Sequence, residues 1–284
     1  ALKQKNAALI HQICSLVTYS TDVMILSVFC DLKTVSIYSV YNMIFAIVYN
    51  AVTSINSSLQ YALGQAYCKG RDYYIKVIDT YETIYITLSS SLMLTTYVLI
   101  IPFLKLYTAG ADINYINIYF PILFVLVKLF DSFRNATINT ITVSGNFKTT
   151  QSHAIIESII NLTVSMISVW KFGMIGVLFG TIIAFVYRDI ISIRFVNKNI
   201  LFRSSFHSVR ATIINLLLVI LGMIISKKIN LQCENYLMFF LSAVIITIVL
   251  LMVFCIANFV FDKKSFFMIK NIISNRILSK IKNK

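Results

Sequence analysis

The sequence predicts an all-α fold, a polytopic transmembrane helical bundle of about eight spans. Three observations carry this reading. The 284-residue chain is 58% hydrophobic and only 13% charged, against roughly 25% charged residues in soluble domains. Its apolar residues gather into runs of about 20, the length that crosses a hydrocarbon core. Its Lys and Arg residues are distributed unevenly between the two ends of those runs. A soluble domain of mean hydropathy +0.81 would lack the polar surface to cover its core. Disorder is excluded because disordered chains are rich in charge and poor in apolar residues. With 2 Pro and 8 Gly there is no flexible linker composition.

The expected spans are 7–29, 35–59, 81–104, 117–140, 150–170, 173–193, 210–226 and 236–261. The first contains Asp22 and is too long for a signal peptide. The second carries Asn42, Asn50, Thr53, Ser57 and Gln60 on roughly one side. The third follows the basic stretch of Lys69, Arg71 and Lys76. The fifth and sixth are separated only by Lys171 and Phe172, which predicts a tight helical hairpin. The seventh is the shortest. The alternating pattern of a membrane barrel does not recur along the chain. The organisation expected is a six-span unit over 1–193, two additional spans over 194–261, and a basic tail over 262–284.

Lys and Arg concentrate in cytoplasmic loops. With the N-terminal end cytoplasmic, that side carries 18 of the 25 basic residues, including Arg188, Arg203 and Arg210, and the opposite side carries five. An even number of spans then places both ends in the cytoplasm. Tyrosines near the span ends, such as Tyr73, Tyr107 and Tyr119, suit an interfacial aromatic belt. The tail holds seven basic groups, one acid, and apolar residues at Phe266, Ile269, Ile273, Ile277 and Ile281. That spacing predicts an amphipathic helix on anionic lipid. A nucleic-acid partner is not expected, since no globular domain presents the basic patch.

Signals for enzymatic chemistry are absent. The five cysteines, Cys14, Cys30, Cys68, Cys233 and Cys255, form no CxxC pair and read as small hydrophobes. Cys30 and Cys233 share the outer side, which leaves a disulfide open. His11, His153 and His207 have no metal-ligand spacing, so no metal is expected. Neither a nucleophile elbow, a phosphate-binding Gly loop nor HExxH is present.

Charges at membrane depth cost several kcal/mol unless they meet a partner or a cavity, so each is a functional candidate. The fourth span holds Lys128, Asp131 and Arg134, each three residues from the next, with Asn135 and Asn139 extending the polar side. One acid against two bases predicts a net-cationic cluster. The fifth span carries His153, Glu157, Asn161 and Ser165 at intervals of four, close to one line on a helix. Glu157 needs a partner, and Lys128 or Arg134 would serve. Lys128, Arg134 and Asn135 are the candidate substrate-binding residues. Asp22, Asp131, Glu157 and Asn161 are the candidates for charge balance or ion coupling. Gly173, Gly176 and Gly180 open the sixth span at spacing that suits close helix packing.

Three segments carry a family resemblance. They are Thr21-Asp22 with its apolar run leading to Val35-Ser-Ile-Tyr38-Ser-Val-Tyr41; Gly145-Asn-Phe-Lys148-Thr-Thr-Gln151 followed by Glu157 and Asn161; and Lys171-Phe-Gly173-Met-Ile-Gly176-Val-Leu-Phe-Gly180-Thr181 with Tyr187-Arg188 after it. In order and spacing, the chain resembles the C-terminal part of a bacterial Wzx-type oligosaccharide flippase, of the MATE-like multidrug/oligosaccharidyl-lipid/polysaccharide exporter superfamily. The resemblance implies a second lobe of a two-lobed transporter in the bacterial cytoplasmic membrane, with a first lobe preceding Ala1. It implies movement of undecaprenyl-pyrophosphate-linked repeat units between leaflets by alternating access, coupled to H⁺ or Na⁺, with no other cofactor. The expected partners are that lipid-linked oligosaccharide, membrane lipids and the first lobe. An ion-coupled drug or metabolite exporter of the same superfamily is the alternative. A membrane glycosyltransferase or polymerase would need acids and bases grouped at an outer loop, and the outer loops hold few.

Overall fold

The computed structural model describes residues 4–228, 231 and 233–268, and every regular element among them is helical. The order is α1 (Lys5–Phe29), α2 (Leu32–Cys68), α3 (Arg71–Tyr107), α4 (Tyr119–Ser144), α5 (Phe147–Phe172), α6 (Met174–Phe195), a π-helical turn (Val196–Ile200), α7 (Phe206–Ser226) and α8 (Tyr236–Phe261). One helix stands for each expected span. Seven of them are long and apolar enough to cross a membrane, so the chain is a multi-pass, all-α membrane bundle. The eighth, α4, has the length, but every stretch of it long enough to span contains Lys128, Asp131 and Arg134. Helices α2 and α3 have 37 residues each. At 1.5 Å per residue they run to about 55 Å, beyond a hydrocarbon core of about 30 Å. The expected limits 35–59 and 81–104 marked only their apolar middles.

Local chemistry places the reversals. Asp31 caps α2 by accepting from the Thr34 backbone N–H at 3.0 Å, which starts α2 almost as soon as α1 ends. Gly145 ends α4 in the left-handed region, φ 71°. A single residue, Gly173 at φ 53°, joins α5 to α6, so the expected hairpin is present and tighter than Lys171 and Phe172 alone implied. Asn235 caps α8 through the Met238 N–H at 2.9 Å.

The three glycines divide by this geometry. A Cβ on Gly176 would meet the Ser168 carbonyl carbon at 2.5 Å, and one on Gly180 would meet the Ser165 nitrogen at 2.7 Å. These two let α6 lie backbone to backbone on α5. Gly173, expected in the same contact, is not part of it: a Cβ there would meet nothing within 4 Å. Its backbone makes the turn, one residue before α6 begins.

Helix α4 sits centrally, against α2, α3 and α6, while α1 and α6 cover α5 and the pair α7 and α8 pack on α3. An aromatic stack of Tyr41, Phe45 and Phe124 joins α2 to α4, with ring centroids 5.7 Å apart in both pairs. Tyr41 also donates to the Tyr115 carbonyl at 2.9 Å, which ties down the segment between α3 and α4. All five cysteines are free, Cys30 and Cys233 included, and none is fully buried. Of the basic tail, residues 263–268 continue as helix and the remainder of that expected amphipathic segment lies outside the described residues.

Candidate functional site

The polar side of α4 is turned inward. Arg134 is 4% exposed and is the centre of a buried network. Its guanidinium pairs with Asp131 one turn earlier. Its Nη1 donates to Glu157 Oε1 of α5 at 2.5 Å. Its Nη2 donates to the Tyr19 hydroxyl of α1 at 2.6 Å. The Tyr19 hydroxyl in turn donates to the Asp131 carboxylate at 2.8 Å. The guanidinium face lies 4.7 Å from the Phe185 ring centroid of α6. Four side chains from four helices therefore fix one cation, so Arg134 is structurally occupied.

The other face of Glu157 meets Arg188 of α6, Nε to Oε2, at 3.7 Å. Arg188 is fully buried, and Nη1 donates to the Thr150 carbonyl at 3.3 Å. This corrects the charge count along the sequence, which placed Arg188 among the cytoplasmic surface residues. Position near a span end resembles an interfacial charge, but the side chain points into the α1–α5–α6 contact. Its neighbour Asp189 is also buried, and neither carboxylate oxygen has a hydrogen-bond partner among the described residues. Asp189 lies within electrostatic reach of Arg134, Asp131, Glu157 and Arg188.

Asp22 forms a second node. It accepts from Thr181 at 2.9 Å and from Tyr38 at 3.1 Å. Asn161 Nδ2 donates to the Thr181 hydroxyl at 2.9 Å. Of the expected α5 stripe, Glu157, Asn161 and Ser165 are buried toward α6, and Ser165 donates to the Val177 carbonyl at 3.2 Å. His153 stands at the half-buried end, its ring edge-on to Phe195. The stripe is interhelical and does not line an open cavity.

Lys128 differs from Arg134. Among the described residues it makes no ion pair or hydrogen bond; its ammonium lies 5.4 Å from the Tyr49 ring centroid of α2. The carboxylates of Asp131 and Asp22 exert their field on it from further away. Asn135 donates to the Tyr49 hydroxyl at 2.7 Å, and Asn139 to Asn56 at 2.6 Å and Tyr81 at 2.8 Å. Tyr49 thus sits between the two candidate binding residues.

The expected excess of positive charge is overturned. Among the described residues, the buried charges around α4 are three bases, Lys128, Arg134 and Arg188, and four acids, Asp22, Asp131, Glu157 and Asp189. An uncompensated buried charge is costly. With every acid ionised this region would hold one negative charge too many, so it has room for one proton or one monovalent cation. Reading α4 by itself missed this because three of the four acids arrive from α1, α5 and α6. The contribution of Tyr19 and Thr181 left no signal in the sequence, since both read as ordinary polar residues of a span.

On the exposed side of α2, Asn50, Ser54, Ser57, Ser58 and Tyr61 form a polar strip at helical spacing. Ser54, Ser57 and Ser58 each donate to the backbone carbonyl four residues earlier, and the strip runs past the expected span limit at residue 59. Tyr19 of α1, 47% exposed over its ring while its hydroxyl lies in the network, links the surface of the bundle to the buried charges.

A separate cluster lies near the basic-rich end, where α3 extends past its apolar middle. Asp79 and Glu82 of α3, His207 of α7 and Asp262 at the end of α8 converge there. Burial pushes the Asp262 carboxyl up, but hydrogen bonds from His207, Ser265 and Thr83 outweigh it and hold the group below the ordinary carboxylate range.

In comparisons with family models, with curated proteins and with solved structures, the chain matches none.

Proposed function

We propose that this chain is one lobe of an alternating-access membrane transporter that moves a lipid-linked, anionic oligosaccharide between leaflets of a bacterial cytoplasmic membrane. The observation that supports it most is the buried network of three bases and four acids, lying behind the exposed polar strip of α2. Ionisable groups at membrane depth are costly, and they mark ion or substrate pathways by default. A transporter uses such a cluster as a site whose occupancy by a proton or Na⁺ changes the helix packing. The polar strip of α2 is the face turned toward the first lobe and the aqueous path between lobes. The resemblance to Wzx-type flippases supplies the cargo class.

Within this reading the roles divide. Lys128 is the cation left to meet a pyrophosphate or an acidic sugar, with Asn135 and Tyr49 beside it. Arg134 holds Asp131 and Glu157 in place. Asp22, Asp131, Glu157 and Asp189 share the coupling ion. Replacing Lys128 by Met is expected to abolish flipping of lipid-linked repeat units in proteoliposomes of the complete transporter, with insertion unchanged. Full activity of K128M would sink the substrate assignment.

The excess of acid over base favours one other reading, an ion-coupled exporter of cationic drugs from the same superfamily. Loss of surface polysaccharide on deletion of the gene supports the flippase. Changed sensitivity to cationic drugs, with polysaccharide intact, supports the exporter. The orientation is tested by cysteines placed at Asp112 and Ser204: labelling from opposite sides is expected, and labelling of both from one side would break the scheme.

A further inference from the structure

We propose that Asp79, Glu82 and His207 form a binding site for one Zn²⁺-class divalent ion, distinct from the buried charges around α4 and independent of the transport reading. Asp79 and Glu82 lie one turn apart on α3, and His207 is the second residue of α7. His207 Nδ1 is 3.3 Å from Asp79 Oδ1 and 3.8 Å from Glu82 Oε2. All three potential ligand atoms lie within 4.8 Å of one another. Zn²⁺ binds nitrogen and carboxylate oxygen at about 2.0–2.2 Å in tetrahedral geometry, which spaces neighbouring ligand atoms about 3.3–3.6 Å apart. The cluster is close to that spacing before any ion enters.

The second ring nitrogen supports the same reading. His207 Nε2 lies 2.9 Å from Asp262 Oδ2. Asp262 is itself held by the Thr83 hydroxyl at 2.8 Å and the Ser265 hydroxyl at 2.7 Å. A carboxylate on Nε2 orients the ring with Nδ1 toward Asp79 and Glu82, and an ion binding there displaces any proton on Nδ1. That is the carboxylate–histidine–metal arrangement, in which the outer carboxylate orients the ring and raises its basicity. Nδ1 is buried and has no hydrogen-bond partner among the described residues. Facing two carboxylates, Nδ1 carries either a proton or a metal ion.

The charge count also leaves a place for a cation. Asp79 faces Arg203 at 2.5 Å and Asp262 faces Arg210 at 3.9 Å. A carboxylate oxygen has lone pairs for a guanidinium and a metal together. Glu82 is buried and, among the described residues, accepts one hydrogen bond, from the Ser208 hydroxyl at 2.8 Å, with His207 Nδ1 at 3.8 Å. Two arginines against three carboxylates leave one negative charge, which either a protonated His207 or a bound cation offsets. A cavity of about 1010 Å³ reaches Asp79, His207 and Asp262 from the surface and supplies the route for the ion. One imidazole and two carboxylates suit Zn²⁺ better than Mg²⁺ or Ca²⁺, which favour all-oxygen shells.

The test uses the full chain purified in detergent, with Zn²⁺ alone competed against a chromophoric chelator. The wild type is expected to take up one equivalent that H207A and E82Q both lose. D262N is expected to keep the stoichiometry and bind about 10–100-fold more weakly, as loss of an orienting carboxylate does. If H207A fails to fold, Co²⁺ bound to the wild type serves instead. A tetrahedral visible spectrum without thiolate charge-transfer bands, displaced by Zn²⁺, supports the site. Failure of the wild type to take up Zn²⁺, or wild-type uptake by folded E82Q, overturns it; the cluster is then a clamp in which a doubly protonated His207 replaces the ion.

Discussion

Helices α4 and α8 have the same length, 26 residues, and opposite surroundings. In α8 only Phe254 and Asn258 are buried, one side is half-buried against α3 and α7, and the remaining residues are exposed. In α4 fifteen residues are buried, three of them charged and one an asparagine. The apolar helix is the peripheral one and the polar helix is central. In water the greasier segment would be driven inward. In a bilayer, hydrocarbon offers no reason for apolar helices to associate, and polar groups are what must be enclosed. The central position of α4 therefore follows from its charges. Helix α8 is attached by contact with α3 and by the Asn215–Asn258 amide pair, bonded both ways at 3.0 and 3.1 Å.

This comparison can be broken or sharpened by mutation, with effects expected to fall outward from α4. Glu157→Ala removes the ion pair of Arg188 and one of the two carboxylates that hold Arg134, which keeps Asp131. It should cost about 3–5 kcal/mol, read as unfolding in mixed micelles. A loss under 1 kcal/mol would mean that the network is solvated and α4 is not the core. Gly180→Leu forces a side chain into the Ser165 backbone and should cost about 1–3 kcal/mol, whereas Gly173→Ala is opposed only by its positive φ. Equal losses at the two sites would contradict the division of the glycines. Asn258→Ala removes one amide pair between α7 and α8, expected at about 0.6–2 kcal/mol. Ile256→Ala, on the lipid face of α8, should stay within about 0.5 kcal/mol. A larger value would show that a partner covers α8.

Much of the architecture was legible in the residues. Eight runs of apolar sequence correspond to eight helices because a bilayer leaves a spanning backbone one way to satisfy its hydrogen bonds. Lys171 and Phe172 located the hairpin, and the spacing of Gly176 and Gly180 located its contact. Glu157 was identified as needing a partner, and Arg134 is that partner. The substrate candidates were less legible. Arg134 and Lys128 look equivalent in sequence, six positions apart in one span. Only the fold shows that Glu157, Asp131 and Tyr19 occupy the first while the second is left beside Tyr49. Arg188 was read by its position along the chain, which cannot tell an inward side chain from an interfacial one. His207 lacked metal-ligand spacing because its partners lie 128 and 125 residues earlier, on another helix.

What the sequence determined by itself is the solvent and the secondary structure: a membrane, helices across it, and which spans carry charges that must be hidden. These are local properties, set by the cost of exposing each residue or peptide group to hydrocarbon. What only the tertiary structure decided is the balance of the buried charges and which buried cation has no ion pair among the described residues. An isolated α4 holds two bases and one acid, and the packed bundle holds three bases and four acids. That sign change comes from side chains far apart in the sequence. Coulomb interactions depend on distance in space, and packing brings α1, α5 and α6 onto α4.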